Sequence, residues 1–148
     1  MKRTIRFTRK EKSWILYDWA NSVYATNMMA AIFPIYFGSV CKGAGVDNVV
    51  PWSYGTAVAT FTIAILAPFL GAIGDYKGMK KRLFAFFAAL GTVTTLLTAL
   101  FNSWQMLLVG YVLSYIGFLG SCLLYDSFLT DVTTKDRMDK VSAWGYSM

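Results

Sequence analysis

The feature that most constrains this chain is a run of 43 residues, 83–125, without a single charged side chain. Two more charge-free runs cover residues 19–41 and 48–74. One straight helix over the longest run would extend about 65 Å, roughly twice the hydrocarbon thickness of a bilayer. Because that run has to fold back on itself, the pattern predicts an integral membrane protein with several helical spans.

The composition agrees with a membrane protein and disfavours other classes. Only 15% of the 148 residues are charged, whereas soluble domains carry about 25%. The net charge of +6 lies in short segments beside the apolar runs, which disfavours nucleic-acid binding. There is no histidine, no metal-ligand spacing, no P-loop and no nucleophile–base pair, so we expect no cofactor, no metal and no enzyme activity. Cys41 and Cys122 are expected to be free, packed thiols.

The predicted organisation is a cytoplasmic basic tail over residues 1–13 and a transmembrane region over 14–148. Thr8 and Glu11 have the spacing of a capping box, which predicts a helix start near Thr8. Spans are predicted at about 14–37, 52–74, 83–101 and 106–126, and a fifth begins at 141. Residues 38–51 and 127–140 are predicted to be loops.

The positive charges predict the orientation. The tail carries six Lys or Arg residues, the loop after the second span four, and the loop after the fourth span three. The opposite side carries only Lys42. Since cytoplasmic loops are enriched in Lys and Arg, the N-terminus is predicted to be cytoplasmic. The fifth span is too short at Met148 to cross about 30 Å of hydrocarbon, so we expect a fragment of a longer membrane protein.

The segment "GAIGDYKGMKKR", residues 71–82, is the first motif. Its glycines Gly71 and Gly74 permit close helix approach, and Gly78 permits a tight turn. The segment resembles the signature loop between the second and third helices of the major facilitator superfamily. Gly71, Asp75, Gly78 and Lys80 match that loop, and Lys81 belongs to its basic end. Tyr76 and Met79 depart from it, where the superfamily usually has arginine. The alternative is an ordinary basic turn that only sets topology.

The segment "YDWANSVYA", residues 17–25, is the second motif. Asp18, Asn21, Ser22 and Ala25 share one helix face, and a polar stripe inside a membrane should face a cavity or another helix. With "YDSFLTDV" (125–132) and "DRMDKVSAWGYSM" (136–148), this segment resembles the vacuole effluxer family. That branch of the superfamily includes the autophagy-linked vacuolar amino-acid exporter of yeasts and many bacterial relatives.

This resemblance implies an all-α membrane protein with four transmembrane helices plus the start of a fifth, the N-terminal part of a major facilitator superfamily fold. It implies secondary active transport of small solutes, such as amino acids, by alternating access in a bacterial cytoplasmic membrane. The implied partners are the lipid bilayer, the solute, a coupling proton and the remaining helices of the transporter. No nucleic acid is expected.

The resemblance also implies roles for individual residues. Asp18, Asn21 and Ser22 would lie on the substrate path, because the first and fourth helices of the superfamily line its central cavity. The alternative is a hydrogen-bond cluster that only fixes packing. Asp126 would form a gate pair with Lys80 or Lys81, or else be a solvated carboxylate near a helix end. Either Asp18 or Asp126 could carry a coupling proton.

Other readings remain open at this point. One is a stand-alone four-helix membrane protein, either a small dimeric exporter or a non-transporting adaptor. Small exporters of that kind place an acidic residue deep in the first span, whereas Asp18 lies near its edge. Another reading is an inactive gene remnant. The interrupted fifth span and the signature loop favour the transporter over the stand-alone protein.

Overall fold

The computed structural model describes residues 7–145, and every regular element in that range is helical. The tail residues Lys2, Arg3 and Arg6 and residues 146–148 lie outside it. In chain order the elements are α1 (Arg9–Tyr24), a π-helical segment (Ala25–Ala30), α2 (Ile32–Gly43), α3 (Val49–Gly74), α4 (Met79–Thr98), α5 (Trp104–Val132) and α6 (Lys135–Gly145).

Four helical stretches of the described range are long and apolar enough to cross a bilayer: residues 9–43, 49–74, 79–98 and 104–132. This confirms the predicted all-α membrane fold.

The first of these stretches begins as the capping box predicted. The backbone N–H of Thr8 donates to Glu11 Oε2 at 2.7 Å, and the N–H of Glu11 donates to Thr8 Oγ1 at 3.3 Å. The stretch is interrupted near its middle. Residues 25–30 are π-helical, and Ala31 leaves the helical region with φ −120° and ψ −76°. The cause is Pro34, which has no N–H and whose ring would clash with the carbonyl of Ala30 in a regular α-helix.

Two predicted loops are largely helical. The predicted loop at 127–140 is wrong, because α5 continues to Val132 and α6 begins at Lys135. Only Thr133 and Thr134 separate the two helices. The predicted loop at 38–51 is likewise shorter, since α2 extends to Gly43 and α3 starts at Val49. Hydropathy marked the apolar part of each helix and missed the polar turns that extend beyond it.

The fourth span, α5, is the centre of the bundle. In its most apolar stretch 50% of the residues are buried, compared with 11% in the first span. α5 packs closely on α4 because glycines meet at the crossing. A Cβ atom on Gly117 would collide with the backbone of Gly91 and Phe87, and one on Gly120 would collide with the Phe87 ring. Small residues permit this close approach of helices in a membrane.

The two halves of the first span belong to different apolar clusters. α1 contributes Trp14 and Ile15 to a cluster completed by Tyr125 and Val141, here called the Trp14 cluster. α2 contributes to a second cluster, here called the Phe37 cluster, whose buried members are Met28, Phe33, Phe37, Cys41, Ala59, Leu107, Tyr111 and Tyr115. The break at Ala31 therefore separates two packing environments along one span.

Candidate functional site

One polar residue of the second motif, Asn21, contacts α5. Asn21 Nδ2 donates a hydrogen bond of 3.1 Å to the Sγ atom of Cys122. Asp18 lies one turn before Asn21, and Asp126 lies one turn after Cys122. The Asn21–Cys122 bond thus links the first and fourth spans, and each of the two helices carries a carboxylate one turn away from it.

Ser22 lies on the same helix as Asn21, but its side chain bonds within that helix. Its hydroxyl donates to the backbone oxygen of Asp18 at 3.0 Å, and its side chain is exposed. The structure therefore joins Asn21 to α5, while Ser22 bonds within its own helix.

A groove with a cavity of about 400 Å³ lies between α1, the π segment, α4 and α5. Its lining includes the polar side chains of Asn21, Asn27, Thr92, Thr95 and Ser121 together with aromatic and aliphatic residues. Such polar side chains are unusual within membrane spans, where groups of this kind rarely face lipid.

A chain of three hydroxyl groups borders this groove. Tyr24 Oη lies 2.7 Å from Ser114 Oγ, which lies 2.7 Å from Thr95 Oγ1. Thr95 Oγ1 donates to the backbone oxygen of Gly91 at 2.7 Å. Because that carbonyl only accepts, the direction of donation is Tyr24 to Ser114 to Thr95. The chain links the first, fourth and third spans, and sequence analysis missed it because isolated hydroxyls in apolar runs carry no distinctive spacing.

The signature loop contacts the end of α5. Gly78 adopts a left-handed conformation with φ 82° and starts α4, as its expected turn requires. Lys80 Nζ donates to Asp131 Oδ2 at 2.7 Å and lies 5.5 Å from the centre of the Phe128 ring. The expected partner of Lys80 or Lys81 was Asp126. The structure instead pairs Lys80 with Asp131, because α5 continues past Asp126 and carries Asp131 to the start of α4.

The other residues of the loop are more peripheral. Asp75 is exposed, and its backbone N–H donates to the oxygen of Gly71 at 3.2 Å, where α3 ends. Lys81 is exposed, and a Cβ atom on Gly71 would meet no atom within 4 Å.

A buried carboxylate that sequence analysis read only as a helix cap joins α1 to the α5–α6 junction. Glu11 is 2% exposed. Thr133 Oγ1 donates to its Oε1 at 2.8 Å, and an Arg137 guanidinium nitrogen donates to its Oε2 at 3.0 Å. We call Glu11, Thr133 and Arg137 the Glu11 clamp. The capping-box spacing identified Glu11, but nothing local indicated partners more than 120 residues away.

The Trp14 cluster reinforces this junction. Trp14 Nε1 donates to the backbone oxygen of Tyr125 at 3.3 Å, and the Tyr125 hydroxyl donates to the backbone oxygen of Trp14 at 3.0 Å. The two rings stack with their centres 4.5 Å apart.

Between residues 7 and 145, no group of three His, Cys, Asp or Glu side chains could hold a metal ion.

Residues 52–143, more than half of the chain, match a family described as vacuole effluxer Atg22 like. The chain belongs to this family. It is also 43% identical over 148 residues to a Bacillus subtilis (strain 168) protein described as an uncharacterized MFS-type transporter, YxiO. That alignment covers 97% of this chain and 35% of the relative, so the chain spans about a third of the relative's length. No solved structure matches the chain.

The matched range contains one side of the candidate site. The signature loop, Cys122, Asp126 and Asp131 lie within the part that matches the vacuole effluxer Atg22-like family. Asp18 and Asn21 lie before it. The site is therefore assembled from the family-matching spans and from a first span that precedes them.

Proposed function

We propose that this chain supplies the first four spans, and the start of a fifth, of a secondary transporter for small solutes. The observation that carries the proposal is the hydrogen bond between Asn21 and Cys122 across two membrane helices, each of which carries a carboxylate, Asp18 or Asp126, one turn away. Ionisable residues inside membrane spans are costly, and they mark substrate paths and proton relays in transporters. Membership of the vacuole effluxer Atg22-like family supports transport rather than catalysis.

The chemistry of the site suits a solute that carries an ammonium group, such as an amino acid. Carboxylates attract a cationic amine, and the amide of Asn21 offers both donors and acceptors. Asp18, Asn21 and Ser22 are the proposed lining of the path on the first span. Asp18 and Asp126 are the proposed carriers of a coupling proton, because a carboxyl group in an apolar site binds a proton more readily.

Alternating access would require contacts that hold one conformational state. The ion pair between Lys80 and Asp131 is the proposed contact between the signature loop and α5, with Asp126 one and a half turns upstream. Gly71, Asp75, Gly78 and Lys81 shape the loop that presents Lys80. The proposed location is a bacterial cytoplasmic membrane with the N-terminus in the cytoplasm, on the grounds of the Lys and Arg distribution.

The test uses the longer natural protein that contains these spans, reconstituted in vesicles. A labelled amino-acid mixture and an imposed pH gradient supply substrate and driving force. We expect gradient-dependent accumulation in the wild type and loss of the gradient dependence in Asp18→Asn and Asp126→Asn. Ser13→Ala is the matched control, because Ser13 is exposed on α1 and donates only to the backbone oxygen of Arg9 at 3.0 Å. Gradient-dependent uptake that persists unchanged in both Asp18→Asn and Asp126→Asn would contradict proton coupling at these carboxylates, and gradient-independent uptake in the wild type would contradict proton coupling altogether.

A further inference from the structure

We propose that residues 25–31 form a hinge in the first span, and that α2 moves about it as a gate while α1 stays fixed to the bundle. The role of α2 as a gate rests on the proposed transport function. The hinge itself follows from the backbone and from the way the two halves are held.

The backbone of the hinge lacks the regular helical ladder. The N–H of Ala31 donates to the backbone oxygen of Thr26, five residues earlier, at 2.9 Å, and it is shared with the oxygen of Asn27, four residues earlier. Pro34 keeps the segment from returning to a regular α-helix, because it offers no N–H and its ring excludes the carbonyl of Ala30. π segments are short, are uncommon, and occur often at functional sites.

The half before the hinge is held by directional contacts. Asn21 bonds to Cys122, and Trp14 and Tyr125 exchange two hydrogen bonds. The last of these contacts is the Tyr24–Ser114 bond, directly before the π segment begins. Such bonds have preferred distances and angles, so α1 cannot slide along α5 without losing them.

The half after the hinge is held by contacts between aromatic rings. Phe33 and Phe37 are buried against Trp52 of α3, with ring centres 6.0 Å and 5.7 Å apart, and Phe33 stacks on Tyr111 of α5 at 5.6 Å. In the described part of the chain, no side-chain hydrogen bond is recorded from α2 to another helix; Ser39 donates to the oxygen of Tyr36 in α2 itself. Aromatic contacts tolerate several geometries, so this half can shift at lower cost.

The direction of motion follows from this difference. α2 can leave Trp52 and Tyr111 by rotating about Ala31, and α1 then remains bonded to α5. The movement would open the Phe37 cluster, which closes the space between the first, second and fourth spans at this end of the bundle. We therefore assign Phe33 and Phe37 as the plug of the gate.

Hydrogen–deuterium exchange on the full-length protein in lipid nanodiscs tests the hinge directly. In the wild type, we expect amides 27–33 to exchange faster than amides 14–24. Pro34→Ala restores an N–H and removes the clash, so exchange over 27–33 should slow by about tenfold, because proline is far less favourable than alanine within a helix. Ala31→Gly should do the opposite and speed exchange in the same segment.

Pro51→Ala is the matched control. Pro51 has the same place in the first turn of α3 that Pro34 has in α2, but a loop precedes it rather than a helix. We expect exchange over 27–33 to remain as in the wild type. Unchanged exchange in both Pro34→Ala and Ala31→Gly would overturn the hinge.

Uptake of the labelled amino-acid mixture separates the hinge from the transport function. Slower uptake in Pro34→Ala, with wild-type uptake in Pro51→Ala, would support α2 as a gate. Uptake in Pro34→Ala at the wild-type rate, despite slowed exchange, would overturn the gate and leave transport intact. Absence of uptake in the wild type would refute the proposed function and with it the gate, while the exchange results would still decide the hinge.

Discussion

Replacing Gly117 by alanine should separate the third and fourth spans. Gly117 lies on α5 where that helix crosses α4. A Cβ atom there would lie 2.6 Å from the Cα atom of Gly91 and 2.8 Å from the backbone oxygen of Phe87. Neither atom belongs to a side chain that could rotate away, so the whole helix has to move.

The size of the effect follows from these distances. Carbon atoms pack at about 3.5–4.0 Å, so α4 and α5 would have to separate by roughly 1 Å. Overpacking of this kind costs about 1–3 kcal/mol. We expect about 2 kcal/mol or more, because the same separation stretches the 2.7 Å contact between Thr95 and Ser114.

The free energy of unfolding can be measured on the full-length protein by titrating SDS into detergent micelles. Gly71→Ala is the control, since its Cβ atom would meet no atom within 4 Å. Both changes gain up to about 1 kcal/mol of helix propensity, so their difference isolates the clash. Equal stability of the two variants would refute the assigned close contact between α4 and α5.

Two further predictions concern the polar end of the bundle. Glu11→Gln should lower the free energy of unfolding by about 1.5–3 kcal/mol, because hydrogen bonds to a charged group are replaced by neutral ones. A double-mutant cycle with Arg137→Met should show coupling, and additive effects would contradict the clamp. A hydrogen bond from the Thr134 side chain lowers the pKa of Asp136 below its ordinary value. The contribution of this bond to folding stability is present above the ordinary pKa of Asp136 and is lost as pH falls towards the lowered pKa. NMR titration of the Asp136 carboxyl should show the lowered pKa, and Thr134→Ala should raise that pKa.

Local signals in the sequence predicted much of the fold. The four predicted spans correspond to four membrane-length helical stretches, and the Thr8–Glu11 spacing predicted the first helix start. Helix ends were less predictable, because the apolar run in the sequence ends at the first charged residue while the helix itself continues. Thus α5 was expected to end near Asp126 and instead ends at Val132. Pro34 lies near the far end of the predicted first span, and nothing in the apolar run around it predicted the break at Ala31.

The candidate site was predictable on one helix and not between helices. Helical periodicity placed Asp18 and Asn21 on one face of α1. It could not reveal that Cys122, expected to be a packed thiol, accepts a hydrogen bond from Asn21. The Lys80–Asp131 pair was missed for the same reason, since the relative rotation and length of α4 and α5 decide which carboxylate is within reach.

The reciprocal bonds between Trp14 and Tyr125 also have a consequence for how the protein is made. The two residues are 111 positions apart in the chain. At about 5–20 residues per second, Tyr125 is synthesised roughly 5–20 seconds after Trp14. For that interval the first span has emerged from the ribosome without the helix that later binds it, and Asn21 has no Cys122 to bond. Until then the Asn21 side chain contacts the insertion machinery or lipid, and it can bond to Cys122 only after α5 has been synthesised.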